Sequence, residues 1–577
     1  MDEMLEQRGV HVSSSSLSLF SDNDIRTISH KLSNTRFGDL IESFSDSINK
    51  RLGRKANESY PKVTFKVQAE PLQLSLEQRT QYVRAYFDHI HPIFPFLVEE
   101  DFAQQVLNNR HQEFLEQGSP FLVLYHAVLA IGSQYTGYGA FEPGKGPSWQ
   151  IFQVALNHLQ ELIGFKPCLE SVQFCYSMTH CGGQIAETLL SEAARMAQFV
   201  RLNRGSAALT DGAHQRTFWV IYSLEKLSSF CQGRTSAIPD EDIGCHIPHV
   251  PESIFGEFNW FLSSVRFGRL ISRAQSSLFS VSATMKSKDE YQRDLQAINV
   301  QLEAWRQSIP PSFRPGDRFA RANLASPTFV MAALRTHLIY HNFVMVLCRL
   351  NSQVNACSAF GFEANDRETF MSSARRVIEL TTHIEVEPYA PSVLLTVFPL
   401  SAFFSLFHLV IDNPHHAETR DNLTFLDVAA GYFRRLEYIM KQEFPFSIFP
   451  KLAAVAHEYV LKLPGPSDIT APAGQVGASP LPENHLPSEP GMSVATPSGL
   501  GLSGGQVPAI QQQNDFGDQL YGMGGSNRLE PLPFARDGNV SQADGTQFNA
   551  VSGAMDFFGN LLDETYSSLY GVDISWQ

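Results

Sequence analysis

One segment near the middle of this 577-residue chain constrains its fold more than any other. Residues 216–230 are rich in bulky apolar side chains, and their spacing is that of a helix. The apolar stripe is too wide for a surface helix, so the segment is predicted to lie deep in a core. A Gly233-Arg234 turn and a Pro239-Asp240 stop follow it. The stripe consists of Phe218, Ile221, Tyr222, Leu224, Leu227 and Phe230.

Helical patterns also precede and follow this segment. Ser75 and Gln78 have the spacing of a capping box, which predicts that a helix begins there. Pro92 and Pro95 should end it. Helical spacing continues to about residue 462, with no run of alternating β-branched residues and no βαβ rhythm. The predicted fold class is all-α, with one large multi-helix domain over residues 75–463.

The flanking regions differ from this domain in composition. Residues 1–74 are predicted to be an N-terminal linker with weak helical spacing and a basic cluster. That cluster is interpreted either as a nuclear-import signal or as a solvated charge run. Residues 464–550 are predicted to be disordered, because Pro, Gly, Ser and Gln dominate and little can be buried. The basic residues are Lys50, Arg51, Arg54 and Lys55.

Residues 551–577 form a candidate transcriptional activation segment. From Ala554 onward acidic residues alternate with aromatic and aliphatic ones, and Lys and Arg do not occur. Acidic neighbours keep such apolar groups solvated and available to a partner. The alternative is a C-terminal helix docked on the core. The candidate residues are Phe557, Phe558, Leu561, Leu562, Asp563, Tyr566 and Trp576.

Charge and cysteine content restrict the possible functions. The formal net charge is −15, so the bulk of the chain lacks the basic face that phosphate contacts require. Seven cysteines, an odd number, indicate a reducing compartment. Cys168, Cys175 and Cys181 are spaced C-x6-C-x5-C, without the C-x2-C pair typical of zinc sites. We therefore predict no metal and no cofactor in this chain.

One apolar run is nearly long enough to be a membrane span. Residues 393–411 approach the roughly 20 apolar residues that cross a bilayer. The run contains Pro399 and His408 and has no Lys or Arg close to either end. A buried core helix is the preferred interpretation.

Motifs for catalysis are weak. Residues 139–145 resemble a phosphate loop, but Gly146 stands where Ser or Thr is required, so a plain loop is predicted. We find neither an H-E-x-x-H nor a D-D-x-x-D pattern. The chain is predicted not to be an enzyme. A helical enzyme with a metal or acid–base cluster, and a module that senses a small metabolite, remain the alternatives.

Three segments together carry a family resemblance. Residues 82–97, 193–204 and 216–243 resemble the middle homology domain, of the xylanolytic-activator type, of fungal binuclear zinc-cluster transcription factors. The family signature runs Arg-x-Phe-Trp-x-x-Tyr, an acidic–basic pair, Gly-Arg-Pro and an Asp-Ile ending; Thr235 replaces its Pro here. We expect the signature residues to be structural, with Arg234 pairing with Asp242. They are Arg195, Arg216, Phe218, Trp219, Tyr222, Gly233, Arg234 and Asp242.

The resemblance implies a nuclear regulator of transcription by RNA polymerase II in a fungus. The family reads DNA through an N-terminal zinc cluster, whereas no cysteine precedes Cys168 here. We therefore expect zinc only in a module missing from this chain, and DNA contact through that module or a partner. Coactivators are the expected protein partners. A homodimer and a small-molecule inducer are further candidates, and no membrane is expected.

Overall fold

The computed structural model describes residues 22–32, 36–43, 73–107, 120–140, 146–158, 167–178, 183–205, 212–355, 364–391, 393–440 and 446–463. Its helices are α1 Asp22–Lys31, α2 36–43, α3 Leu76–His89, α4 Glu99–Leu107, α5 Pro120–Ser133, α6 Pro147–Asn157, α7 Leu169–Met178, α8 Gly183–Phe199, α9 Gly212–Gln232, α10 Trp260–Ala274, α11 Lys288–Gln307, α12 Pro327–Asn355, α13 Ala364–Thr381, α14 Phe398–Asp412, α15 Thr419–Ile439 and α16 Ile448–Lys462.

The all-α prediction is confirmed over the described residues. The exception is a two-stranded antiparallel hairpin, β1 Ile254–Phe255 and β2 Phe258–Asn259. Single π-helical turns extend α5 and α10 and precede α14, at Gln134–Tyr138, Gln275–Phe279 and Val393–Val397. Neighbouring helices pack in pairs, including α5 with α6, α7 with α8, α9 with α10 and α12 with α13. One continuous hydrophobic core runs through these pairs.

Local signals place several helices as the sequence predicts. The Ser75 hydroxyl accepts a hydrogen bond from the Gln78 backbone N–H at 3.2 Å, and Gln78 Oε1 accepts from Ser75 N–H at 2.9 Å. This capping box starts α3. Where α5 crosses α3, a Cβ on Gly132 would lie 1.9 Å from the backbone oxygen of Tyr82, so only glycine fits the contact.

The N-terminal region contains two helices within the segment for which the sequence predicts a linker with weak helical spacing. Helices α1 and α2 pack on the core, and Ile28, Leu32 and Ile41 of the weak apolar pattern are buried. Phe37 is fully buried and stacks on Phe407 of α14, with ring centroids 5.3 Å apart.

Among the described residues, two helices are long and apolar enough to cross a membrane. They are Pro327–Asn355 and Val393–Asp412, and their most apolar windows are 83% and 100% buried inside the protein. Burial of this extent favours the core-helix interpretation, because a membrane span needs a face turned toward lipid.

Three predicted features lie outside the described residues. They are the basic cluster Lys50, Arg51, Arg54 and Lys55, the Pro/Gly/Ser/Gln-rich region, and the candidate activation residues Phe557, Phe558, Leu561, Leu562, Asp563, Tyr566 and Trp576.

Candidate functional site

The predicted core helix is α9, and its aromatic residues are buried. Phe218, Trp219 and Tyr222 each have 0% exposed surface. The Trp219 ring makes edge contacts with both neighbours, with centroids 5.2 Å away in each case. Its indole N–H donates to the backbone oxygen of His246 at 2.9 Å, and the Arg269 guanidinium lies 5.0 Å from the ring centroid. The indole N–H and the indole ring therefore both have partners.

The turn after α9 is a Schellman motif. Gly233 has φ of 70°, a conformation that a residue with a Cβ rarely adopts. The Arg234 N–H donates to Ser229 O at 2.8 Å, and the Gly233 N–H donates to Phe230 O at 3.1 Å. These two bonds satisfy carbonyls that the helix end would otherwise leave open. The Gly-Arg pair thus ends α9 and turns the chain back along it.

A buried carboxylate holds the returning segment. Glu225 is 3% exposed and accepts hydrogen bonds from Ser229 Oγ at 2.9 Å, Ser236 Oγ at 2.6 Å and the Ala237 N–H at 2.7 Å. Three donors on one carboxylate offset the loss of its hydration. Lys226 is equally buried and donates to the backbone oxygen of Ile238. The acidic–basic pair of the signature therefore fastens the turn to its own helix.

Asp240 is the second centre of this network. Its Oδ1 accepts from the Tyr222 hydroxyl and from Ser272 Oγ, both at 2.8 Å, and lies 3.4 Å from Lys226 Nζ. Burial and the neighbouring Asp240 carboxylate raise the pKa of Tyr222, so its hydroxyl remains a donor. Asp240 therefore forms an ion pair with Lys226, and the expected pairing of Arg234 with Asp242 stays a prediction.

Arg216 lies near the start of α9 and connects this helix to a distant segment of the chain. Its guanidinium hydrogen-bonds to Glu252, and His91 Nε2 lies 3.3 Å from the same carboxylate oxygen. Partial burial raises the pKa of Glu252, but hydrogen bonds from His91, its own backbone and Arg216 outweigh burial and lower that pKa to about 2. Arg216 therefore joins α9 to the chain just after α3 and to the segment before β1.

The remaining signature residues are less central. Arg195 lies on the surface of α8, where its Nε donates to Glu192 at 2.8 Å. Asp242 contributes its backbone oxygen, which accepts from Asn203 Nδ2 at 2.7 Å. Arg201, just after α8, has φ of 64° and ends that helix with a Schellman motif in which arginine takes the usual glycine position. The other six signature residues lie on α9 and the turn that follows it, and they are Arg216, Phe218, Trp219, Tyr222, Gly233 and Arg234.

A cleft of about 660 Å³ lies beside this network. One wall is the returning turn, from Gly233 to Glu241, and the other is the end of α10 with its π-helical turn. Its charged lining residues are Lys226, Arg234, Asp240, Glu241 and Arg273. No sequence pattern reveals this cleft, because its two walls are about 40 residues apart in the chain.

Metal ligands do not cluster in the described part of the chain, where no group of three His, Cys, Asp or Glu residues could hold an ion. Cys168 is partly buried, and its Sγ lies 3.0 Å from Ser171 Oγ. The side chains of Cys175 and Cys181 lie outside the described residues. The prediction that this chain needs no cofactor stays a prediction.

Comparison with known proteins gives consistent similarities. Residues 83–307 match the family described as the fungal specific transcription factor domain. An ABC-transporter-regulating transcription factor of Aspergillus oryzae is 24% identical over 461 residues, covering 74% of this chain and 51% of that protein. An uncharacterized transcriptional regulatory protein of Schizosaccharomyces pombe is 23% identical over 414 residues, covering 66% and 62%.

A third relative is a negative regulator of pleiotropic drug resistance of Candida glabrata, 26% identical over 202 residues, which cover 31% of this chain and 20% of that protein. The chain spans about half the length of the Aspergillus relatives that it matches. The matched range 83–307 contains the whole of α9, its turn and both walls of the cleft.

Proposed function

We propose that this chain, which belongs to the fungal specific transcription factor domain family through residues 83–307, regulates transcription by RNA polymerase II in the nucleus of a fungus. One observation carries the proposal. The family match contains the signature helix and its turn, and the relatives reported above are named as transcription factors or regulators.

The described helical domain acts in this proposal as the regulatory body, without catalysis. The chain carries −15 net charge, and specific DNA contact needs basic side chains on phosphates and base edges. We therefore assign DNA contact to a zinc-cluster module or a partner protein. Coactivator recruitment is assigned to residues 551–577, whose acidic and aromatic composition suits folding on a partner.

A reporter assay tests this function. The complete chain is fused to an unrelated DNA-binding domain and expressed in a fungal host whose reporter carries the matching site. We expect reporter output to rise severalfold above that of the DNA-binding domain alone. Replacement of Phe557, Phe558, Leu561 and Leu562 by Ala should abolish the rise, because it removes the apolar face that a coactivator would bury.

Replacement of Ser567 and Ser568 by Ala in the same segment is the matched control and should leave the output unchanged. A fusion that leaves the reporter at its basal level would refute the proposed activating role. A rise that survives the four apolar replacements would refute the assignment of coactivator recruitment to this segment.

A further inference from the structure

Three arginines form a basic stripe along α10. Arg266, Arg269 and Arg273 are spaced three and four residues apart, so they lie on one face of the helix. None of the three guanidinium groups forms a hydrogen bond or an ion pair with another residue in the part of the chain that the structure describes. The chain as a whole carries −15 net charge, yet this stripe has no carboxylate of its own.

The signature helix holds the central arginine of this stripe in place. The Arg269 guanidinium lies 5.0 Å from the ring centroid of Trp219, which is fully buried. Stacking on an aromatic ring uses the face of the guanidinium plane and leaves the N–H groups at its edge for oxygen acceptors. Arg266 and Arg273, on either side, are exposed. The stripe therefore presents cationic donors over about 10 Å of helix length.

An exposed apolar pair lies at the C-terminal end of the stripe. Val281 and Met285 belong to a short 3-10 helix after α10, and 77% and 76% of their surfaces are exposed. Val281 lines the same cleft wall as Arg273. We call the three arginines together with Val281 and Met285 the basic–apolar surface. It is complementary to a segment in which acidic residues are followed by apolar ones.

The C-terminal segment of this chain has such a sequence. Asp556 and Asp563 are seven residues apart, which is also the spacing of Arg266 and Arg273, and no basic residue follows Asp556. A helix presents residues seven apart on one face, so a parallel alignment along α10 brings both carboxylates to both guanidinium groups. The apolar residues that follow the acidic ones then reach the exposed apolar pair. They are Tyr566, Leu569 and Tyr570.

We propose that residues 554–577 dock on the basic–apolar surface of their own chain, and that this contact competes with coactivators for the segment. The acidic side chains pair with the arginines, and the apolar side chains pack on Val281 and Met285. Residues 464–553 tether the segment to the domain, which gives it an effective concentration on the order of 0.1–1 mM at this surface. The competition rests on the coactivator role proposed above, whereas the docking does not.

Fluorescence anisotropy with a labelled peptide of residues 551–577 tests the docking. The acceptor is the complete chain with its own segment disabled by Asp556→Arg and Asp563→Arg. We expect saturable binding with a Kd below about 100 μM in about 0.05 M salt, and binding about fivefold weaker in about 0.5 M salt, because salt screens exposed ion pairs. The unmodified chain should bind the peptide about two- to tenfold more weakly than the disabled chain, since its own segment occupies the surface.

Charge reversal identifies the residues in contact. The complete chain with Arg266→Glu and Arg273→Glu, whose own acidic segment is then repelled, should bind the native peptide about tenfold more weakly than the disabled chain. A peptide with both aspartates replaced by Arg should bind this reversed surface and not the native one.

Two exposed arginines of α15 give a matched control with the same change of net charge. Arg434→Glu with Arg435→Glu in the disabled chain should change peptide affinity less than about twofold. All four arginines are exposed, so these variants are expected to fold, and their melting temperatures verify it. The docking is overturned if the native peptide does not saturate, if the control pair weakens binding as far as Arg266→Glu with Arg273→Glu, or if the reversed peptide fails to bind the reversed surface.

The reporter assay tests the competition. In the fused complete chain, Arg266→Glu with Arg273→Glu should raise reporter output about two- to fivefold, because the segment is released to coactivators, and the α15 pair should leave it unchanged. Unchanged output in the first variant, or equal peptide binding by the unmodified and disabled chains, would overturn the competition. A reporter at its basal level in every variant, with peptide binding as expected, would refute the activating role and leave the docking standing, so the two proposals fail separately.

Discussion

Truncation of Trp219 to alanine should destabilise the domain more than most single changes in it. The side chain has 0% exposure, so nearly the whole apolar surface of the indole returns to water or borders a cavity. Large-to-small changes of this kind cost about 3–5 kcal/mol. The variant also leaves the His246 carbonyl without its 2.9 Å donor and removes the ring beneath Arg269, each worth about 1 kcal/mol. We expect a total near the upper end of the 3–5 kcal/mol range.

The size of the domain determines how far this loss of stability shifts the melting temperature. With an unfolding entropy of about 2.1 cal/mol/K per residue and roughly 400 residues in the domain, a loss of about 4–5 kcal/mol lowers the melting temperature by about 5–6 °C. Differential scanning fluorimetry at a fixed heating rate measures this shift. Urea denaturation, followed by tryptophan fluorescence, gives an independent midpoint for the same pair of proteins.

Two further variants isolate the cause. Trp219→Phe retains most of the apolar ring but loses the N–H donor, and it should cost about 1–3 kcal/mol. Trp149→Ala removes an indole of equal size from a position on α6 that is only partly buried, and it should cost less than Trp219→Ala. The reasoning fails if Trp219→Ala shifts the melting temperature by less than about 2 °C, or if Trp149→Ala shifts it as far.

Two other perturbations test the connections around α9. Glu252 has a pKa of about 2 in the folded protein, below its ordinary value, so its contribution to stability is present above about pH 4.5 and is lost as the pH falls toward 2. Glu252→Gln should therefore flatten the loss of stability over that interval, as measured by melting temperature against pH, and an unchanged acid limb would contradict the role of the Arg216–Glu252 pair. Gly233→Ala places a Cβ at φ of 70° and should lower the stability of the domain by about 1 kcal/mol. Arg201→Gly, at φ of 64°, should not lower it, because glycine adopts this conformation without strain. Equal effects of the two variants on the denaturation midpoint would refute the argument from backbone strain.

The sequence predictions that agree with the structure depend on patterns within short segments. The helix start at Ser75 depends on two side chains three residues apart, and the burial of α9 depends on the 3.6-residue period of its apolar groups. Both features are properties of a short segment, and a short segment suffices to predict them.

Contacts between distant segments could not be predicted from patterns within one segment. His91 and Glu252 are 161 positions apart, and the approach of Lys226 to Asp240 depends on how the turn lies against α9. The cleft needs the end of α10 beside that turn, an arrangement that helix packing creates. No alternation or spacing within one segment encodes these positions.

The family match ends at residue 307, but the packing does not end there. Phe343 of α12 has its ring centroid 5.2 Å from that of Phe230 on α9 and 5.6 Å from that of Phe267 on α10, and Tyr340 stacks on Trp305 at 6.4 Å. These aromatic contacts pack α12 against helices of the matched region. A substitution in α12 that removes these contacts would weaken the packing of α9. Substitutions far outside the matched range should therefore alter the stability of the Gly233-Arg234 turn at the end of α9.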